Sequence, residues 1–337
     1  MPDEPPPLFS ERPVERPVPP AAPAAGVRSG RAAARDSVHG LALGDAFGER
    51  WFPLMRSPAE ALREIRERRV PRERSWHWTD DTAMALAVLS ALRADGEIVP
   101  DRLARLFAET YEADPGRGYG PGMHVLLPEL AKDPASWRTR AAALFGGEGS
   151  LGNGAAMRSA PVGAWFHADL ERAAAQAAVA AGVTHGHPEG IAGAVAVAVA
   201  AGLAARYGTG RAGVPSGPGF LHEVAGRTPP GRVRQGLLRA ARIPGNVPPA
   251  RAAEELGNGA RVRADDTVPF AVWGAAHHLE SLVDALWAVA EGLGDVDTTC
   301  AITGGIVASG TGLGGVPEAW LARREPLPGW VDAAGGG

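Results

Sequence analysis

Two short acidic groups hold the residues with the most chemistry to offer: Thr79-Asp80-Asp81-Thr82 and Asp295-Val296-Asp297-Thr298. Each stands where a run of small apolar residues begins, so each reads as a helix N-terminus. A Thr or Asp there satisfies free backbone N–H groups and complements the helix dipole. Capping needs one acceptor per helix, yet each group supplies two carboxylates flanked by hydroxyls. In an extended segment, Asp295 and Asp297 are two positions apart and face the same way. Four carboxylates brought together without counter-charge repel and shift one another's pKa. A hard divalent cation, or a pair of them, relieves that repulsion; Mg²⁺ and Mn²⁺ take oxygen ligands, with Thr hydroxyls and water completing the shell. The expectation is a metal site where two helix N-termini meet.

The elements that must position these groups are helical. Ala- and Leu-rich segments broken by Gly and Pro dominate the chain, and few runs alternate apolar and polar residues at period two. The spacing predicts helices over Asp80–Arg93, behind Thr79 as N-cap, and over Leu170–Ala181, Ile191–Tyr207, Leu279–Glu291 and Thr298–Ser309. Their small residues predict close packing. Gly190–Ala205 is apolar, but it is short for a bilayer and rich in Ala and Gly, so it reads as a buried helix. Arg63–Arg74 reads as a solvated charged face. Frequent Pro and Gly between Pro215 and Ala260 predict an insertion or long loops over the core.

Composition narrows the class. The 337 residues carry 34 Lys plus Arg against 38 Asp plus Glu, a net charge of -4, which gives no electrostatic footprint for extended nucleic-acid binding. A chain of this length builds a large core without staples. The single cysteine, Cys300, excludes an internal disulfide and a Cys-based zinc cluster, and no apolar leader opens the chain; both point to the cytoplasm. Residues 1–30 are Pro/Ala-rich and expected to form a disordered tail, with one catalytic domain over 31–325 and a loose C-terminus over 326–337. No membrane association is expected, and without a heptad pattern or exposed apolar stripe the expected state is a monomer.

Five motifs follow one another along the chain: Gly40-Leu41-Ala42-Leu43-Gly44-Asp45-Ala46-Phe47-Gly48, Thr79-Asp80-Asp81-Thr82, Gly152-Asn153-Gly154-Ala155-Ala156-Met157-Arg158, Thr184-His185-Gly186-His187-Pro188 and Asp295-Val296-Asp297-Thr298. This order, over Asp36 to Trp320, resembles the ADP-ribosylglycohydrolase family, near its dinitrogenase-reductase-activating branch. The resemblance implies a compact, orthogonal all-α domain with two divalent metal ions, Mg²⁺ or Mn²⁺, at the bottom of a cleft. It implies Thr79, Asp80, Asp81, Asp295, Asp297 and Thr298 as metal ligands or their immediate partners. Gly152, Asn153, Gly154 and Met157 would form the loop against the diphosphate and ribose of ADP-ribose, with His185 beside the substrate. A turn at Gly44-Asp45 would support the first helix beside the metals. Many members carry a Glu several residues beyond this Gly-Asp pair; here Glu49 comes early and Phe52 stands near that place, so either Glu49 serves instead or this subgroup works without that acid.

Cleavage at an anomeric carbon passes through an oxocarbenium-like state, helped by anchored ribose hydroxyls and an activated water. Asp80, Asp81 and Asp297 are the candidate catalytic carboxylates. The expected activity is metal-dependent hydrolysis of the N- or O-glycosidic bond between ADP-ribose and a modified acceptor, chiefly a protein side chain. The alternatives are a silent ADP-ribose-binding or structural family member, and a hydrolase of small ADP-ribose conjugates or ADP-ribosylated nucleobases.

Other signals read as structural. Gly310 to Gly315 matches a dinucleotide fingerprint in letters but lacks its βαβ setting, so it closes a helix. His185 and His187 have no third His or Cys for zinc. His277-His278 reads as surface or cap, and Cys300 as a packed thiol. Trp76 and Trp78 fit either core packing or an aromatic wall.

Overall fold

The computed structural model describes residues 28–52, 56–208, 215 and 217–333. The expected N-terminal tail lies outside them except for its last three residues. Those three already belong to the domain: Ser29 caps the first helix by accepting from the Ala32 N–H, and Arg28 pairs with Asp36 and donates to the carbonyls of Ser309 and Gly310.

Among the described residues the architecture is all-α, as expected, with two isolated bridges and no strand. The helices are α1 (Gly30–Glu49), α2 (Pro58–Arg66), α3 (Asp80–Asp95), α4 (Pro100–Ala113), α5 (Pro121–Lys132), α6 (Trp137–Ala143), α7 (Ala160–Trp165) and α8 (Leu170–Gly182). They continue with α9 (Pro188–Tyr207), α10 (Gly217–Arg227), α11 (Arg232–Ala240), α12 (Pro249–Leu256), α13 (Ala264–His277), α14 (Leu282–Ala290), α15 (Val296–Thr311) and α16 (Glu318–Arg323). The apolar α9 is long enough to cross a membrane by composition, yet it is mostly buried inside the protein, so it is the core helix that its Ala-rich sequence predicts.

A stripe of glycines decides where the site forms. Gly40, Gly44 and Gly48 recur at every fourth position of α1 and so share one face. That face meets α15 backbone to backbone: a Cβ on Gly44 would lie 2.1 Å from the Cys300 carbonyl oxygen, and one on Gly48 would lie 2.6 Å from Cα of Asp297. The contact sets the end of α1 directly against the acidic start of α15. Gly44→Ala is therefore expected to force the helices apart and lower stability by roughly 1–3 kcal/mol. An unchanged denaturant midpoint would refute that account of the seam.

An aromatic wedge supports the segment leading into α3. Phe47 stacks on Trp320 with centroids 5.0 Å apart and meets Trp287 edge-on at 5.0 Å, while Trp76 and Trp51 close the cluster. Trp76 is thus core. Its N–H and carbonyl bond to the backbone of Arg323 and Glu325, which ties the approach to α3 to the C-terminal segment.

Several expectations need correction. Gly44-Asp45 is no turn but lies inside α1, because the glycine is there to admit α15. The Pro215–Ala260 stretch builds α10, α11 and α12 rather than long loops; Phe220, Leu221, Val233, Leu237 and Leu256 are buried, and Pro and Gly mark the helix ends. The C-terminal stretch is packed through Ala333: Arg93 donates to the carbonyls of Trp330, Val331 and Ala333, Val331 is buried, and His39 bonds Asp332. The helix expected from Leu279 starts at Leu282, because Ser281 accepts from the Asp284 N–H and caps it. Cys300 is a buried thiol, and Gly312, at φ 63°, ends α15.

Candidate functional site

Asp45, wholly buried in α1, anchors the start of α3. Its carboxylate accepts from the Thr79 N–H (2.9 Å), the Thr79 hydroxyl (2.9 Å), the Thr82 N–H (3.1 Å) and the Thr82 hydroxyl (2.6 Å). Burial pushes its pKa up to about 6 against the pull of those four donors. With its lone pairs engaged, Asp45 holds the motif instead of serving as a free ligand. Thr79 is the N-cap of α3, as its sequence predicts, and its oxygen accepts from the Asp81 N–H. The Asp80 N–H donates to the carbonyl of Arg117 at 2.8 Å. Asp81 is buried; its Oδ2 lies 3.3 Å from the Thr79 hydroxyl oxygen, whose one proton goes to Asp45 in the shorter contact, and its Oδ1 has no partner.

The second acidic pair reaches the same place by a different local geometry from the expected one. Asp295 is the N-cap of α15 and Asp297 lies in its first turn, so the segment is not extended. The two carboxyl groups still come within hydrogen-bonding reach of each other. Asn153 donates its amide to Asp295 Oδ2 (2.6 Å) and to Thr267 Oγ1 (3.0 Å), and the Thr298 N–H donates to Asp297 Oδ1 (2.8 Å).

The electrostatics follow from burial first and like charge second. Asp80 is pushed up to about 7 by burial, then by Asp45 and Asp295. Asp81 and Asp297 rise well above the carboxylate range, Asp81 from burial and then Asp45, Asp297 from burial and then Asp295. Asp295 rises too, from burial, although the Asn153 and Thr298 donors restrain it. Glu49 is half-buried and also raised by burial, with Arg50 at 3.8 Å pulling the other way.

These groups line a cavity of about 1130 Å³. Every candidate read from the sequence is on its wall: Glu49, Thr79, Asp80, Asp81, Gly152, Asn153, Gly154, Met157, His185, Asp295, Asp297 and Thr298. The Gly152–Met157 loop is sewn to the turn before α13 by a bridge between Gly152 and Arg263 and by the Ala264 N–H donating to the Leu151 carbonyl at 3.1 Å. Asn153 spends its amide on Asp295 and Thr267, so its side chain orients an acid as well as lining the wall. Phe52 lines the cavity as well; residues 53–55, which follow it, lie outside the described residues.

Sequence reasoning missed one whole wall. Gly116 to Gly122 carries a glycine at every second position, a spacing that could have flagged a loop open to a ligand. Arg117 fixes this loop: its guanidinium lies 3.7 Å from the Trp78 ring and pairs with Glu325 at 2.8 Å and Asp114 at 2.9 Å. Trp78 is therefore a cavity wall, unlike Trp76. Phe145 and Val262, both exposed with φ near 54° and 53°, stand on the rim.

The donor set suits a hard cation. Asp81 Oδ1 is a buried carboxylate oxygen without a partner, which is costly unless a cation or proton meets it. The surrounding donors are carboxylate and hydroxyl oxygens, the kind that Mg²⁺ and Mn²⁺ select. Among the described residues no three Asp, Glu, His or Cys side chains form a finished cage, although all four acids line the one cavity wall.

Known proteins share this architecture. Residues 28–335 match the model of the ADP-ribosylglycohydrolase family. ADP-ribosylhydrolase ARH3 of Mus musculus is 29% identical over 286 residues, 75% of this chain and 75% of that protein. ADP-ribosylhydrolase ARH3 of Homo sapiens is 39% identical over 92 residues, a stretch covering 27% of this chain and a quarter (25%) of the human protein. A solved structure described as an ADP-ribosylglycohydrolase-related protein complex shares the fold, with a TM-score of 0.56 and 23% identity over 88% of this chain and 93% of that one. The family match covers both helix starts, the glycine loop and the walls of the cavity, and the chain belongs to the ADP-ribosylglycohydrolase family of glycosidase-type hydrolases.

Proposed function

We propose that this protein uses two divalent cations, Mg²⁺ or Mn²⁺, to hydrolyse the glycosidic bond between ADP-ribose and a modified acceptor, chiefly a protein side chain, in the cytoplasm. One observation carries the reading: two helix N-termini bring four carboxylates to the wall of a nucleotide-sized cavity, Asp81 buried and Asp80, Asp295 and Asp297 partly so, and one Asp81 oxygen has no partner. When bound, the cations would neutralise the acids, anchor ribose hydroxyls and lower the pKa of water. Thr79, Asp80, Asp81, Asp295, Asp297 and Thr298 are the residues to hold them. Asp45 fixes the angle of α3, and Asn153 fixes that of Asp295. Asp80, Asp81 and Asp297 face the scissile bond and can take or return a proton there; the Gly152–Met157 loop and His185 orient the ADP-ribose.

The test is release of free ADP-ribose from arginine-, serine- and nucleotide-linked conjugates, with Mg²⁺ or Mn²⁺ and again with EDTA. Metal-dependent release from a protein-linked conjugate supports the reading. Tight ADP-ribose binding without release from any conjugate would replace it with that of a silent binder.

The raised carboxyls also set the pH dependence of stability. A carboxyl whose pKa is higher folded than unfolded binds its proton more tightly in the fold, so its contribution is complete below the ordinary carboxylate range and is lost as pH rises through the folded value, near 7 for Asp80. The metal-free protein is thus expected to melt lower at about pH 8 than at about pH 5. Mg²⁺ or Mn²⁺ takes over from the protons, so it should raise Tm more at the higher pH. Equal metal-induced shifts at both pH values would count against cation binding by these acids.

A further inference from the structure

Arg158 leaves the glycine loop as a fully buried cation with no carboxylate at ion-pairing distance among the described residues. Its guanidinium packs 4.2 Å from the Phe107 ring, and its Nη2 donates to the Thr184 hydroxyl oxygen at 2.7 Å and to the Ala180 carbonyl at 3.3 Å. That hydroxyl oxygen is in turn 2.7 Å from Nδ1 of His185, and both groups are buried. A hydroxyl has one proton to give, and a guanidinium can only donate. Arg158 therefore takes a lone pair of Thr184, and the hydroxyl proton has Nδ1 of His185 as its acceptor. Nδ1 is bare, so the ring proton sits on Nε2.

Nε2 points the other way. A Cβ on Gly154 would lie 3.2 Å from it and one on Gly152 3.4 Å, so it faces the glycine loop on the cavity wall, without a protein partner among the described residues. We propose that Arg158 and Thr184 are positioning residues that lock His185 as its Nε2–H tautomer, so that the loop presents one neutral N–H donor to an oxygen of ADP-ribose. Burial, and then the charge of Arg158, push the imidazole down to about 3, so it stays neutral at working pH. A neutral donor grips a hydroxyl or phosphate oxygen without competing with cations for the acids. A bare Nε2, by contrast, would face a phosphate oxygen lone pair to lone pair. The assignment also excludes His185 as a general base from its cavity side.

The ligand half of this inference rests on the proposed function; the tautomer half does not. The test combines the ¹⁵N spectrum of the His185 ring in the ligand-free protein, assigned with His185→Gln, and calorimetry with free ADP-ribose. The wild type should show a pyrrole-like Nε2 and a pyridine-like Nδ1. Thr184→Val should lose that bias and weaken ADP-ribose binding roughly tenfold, while Thr184→Ser, which keeps the hydroxyl, should restore both. An Nδ1–H tautomer in the wild type would overturn the relay whatever the activity. A folded Thr184→Val protein that binds ADP-ribose like the wild type would overturn its role in recognition. If the wild type binds no ADP-ribose, the functional reading and the ligand half fall together, and the spectrum still decides the relay.

Discussion

Asp81→Asn and Asp297→Asn are each expected to cut release of ADP-ribose by about a thousandfold or more at saturating metal, and at the same time to raise the Tm of the metal-free protein by a few degrees above about pH 7. The two effects share one cause. Asp81 is buried and Asp297 partly so; each is pushed well above its ordinary pKa first by burial and then by another acid, and neither has a basic side chain at ion-pairing distance among the described residues. An amide removes that cost, since it needs no counter-charge. It also removes the anionic ligand that a cation needs, and several kcal/mol of transition-state stabilisation with it. Gain of stability with loss of function is the signature of a group kept for chemistry. The measurement pairs turnover with thermal unfolding in EDTA. Variants that lose stability and keep turnover would show these acids to be structural caps, which is the simpler reading of Asp and Thr at a helix start.

The sequence made much of this site legible because its acids exceed what capping requires. Thr79 and the first turn of α3 behave as their residue types dictate, and the small residues of α15 do pack closely. What stayed hidden is three-dimensional. The turn at Gly44-Asp45 came from the family resemblance and not from the residues; only the Cys300 carbonyl, 2.1 Å from where a Cβ would stand, shows why a helix interior needs the glycine. The spacing of Asp295 and Asp297 suggested an extended segment, whereas an N-cap and a first-turn residue converge just as well. The Gly116–Gly122 wall depends on Arg117 reaching Glu325 and Trp78, contacts that no local pattern encodes. The C-terminal stretch looked loose because it is short of apolar residues, yet Arg93 holds three of its carbonyls.

Asp45→Ala should have the opposite stability signature to Asp81→Asn, although the two acids are neighbours in one cluster. It is expected to cost about 2–4 kcal/mol and to abolish most turnover, because it strips four buried donors of their acceptor. Two of those donors are the backbone N–H groups of Thr79 and Thr82, at the end of α3 that no earlier turn can satisfy. Relief of the repulsion that Asp45 exerts on Asp80 and Asp81 offsets part of the loss, and a water entering the space offsets more. The donors win because there are four of them and they are short, at 2.6 to 3.1 Å. Asp45→Asn should follow Ala rather than rescue it, since backbone N–H groups, which can only give a proton, face both carboxylate oxygens, and the NH₂ would meet one of them wherever it sat. Turnover should fail in both, because α3 loses the angle that aims Asp80 and Asp81. Denaturant midpoints in EDTA for Asp45→Asn and Asp81→Asn, measured side by side above about pH 7, separate the anchor from the ligands by sign alone. If both rise, Asp45 belongs to the repelling cluster and the Thr79 and Thr82 donors are satisfied by other means.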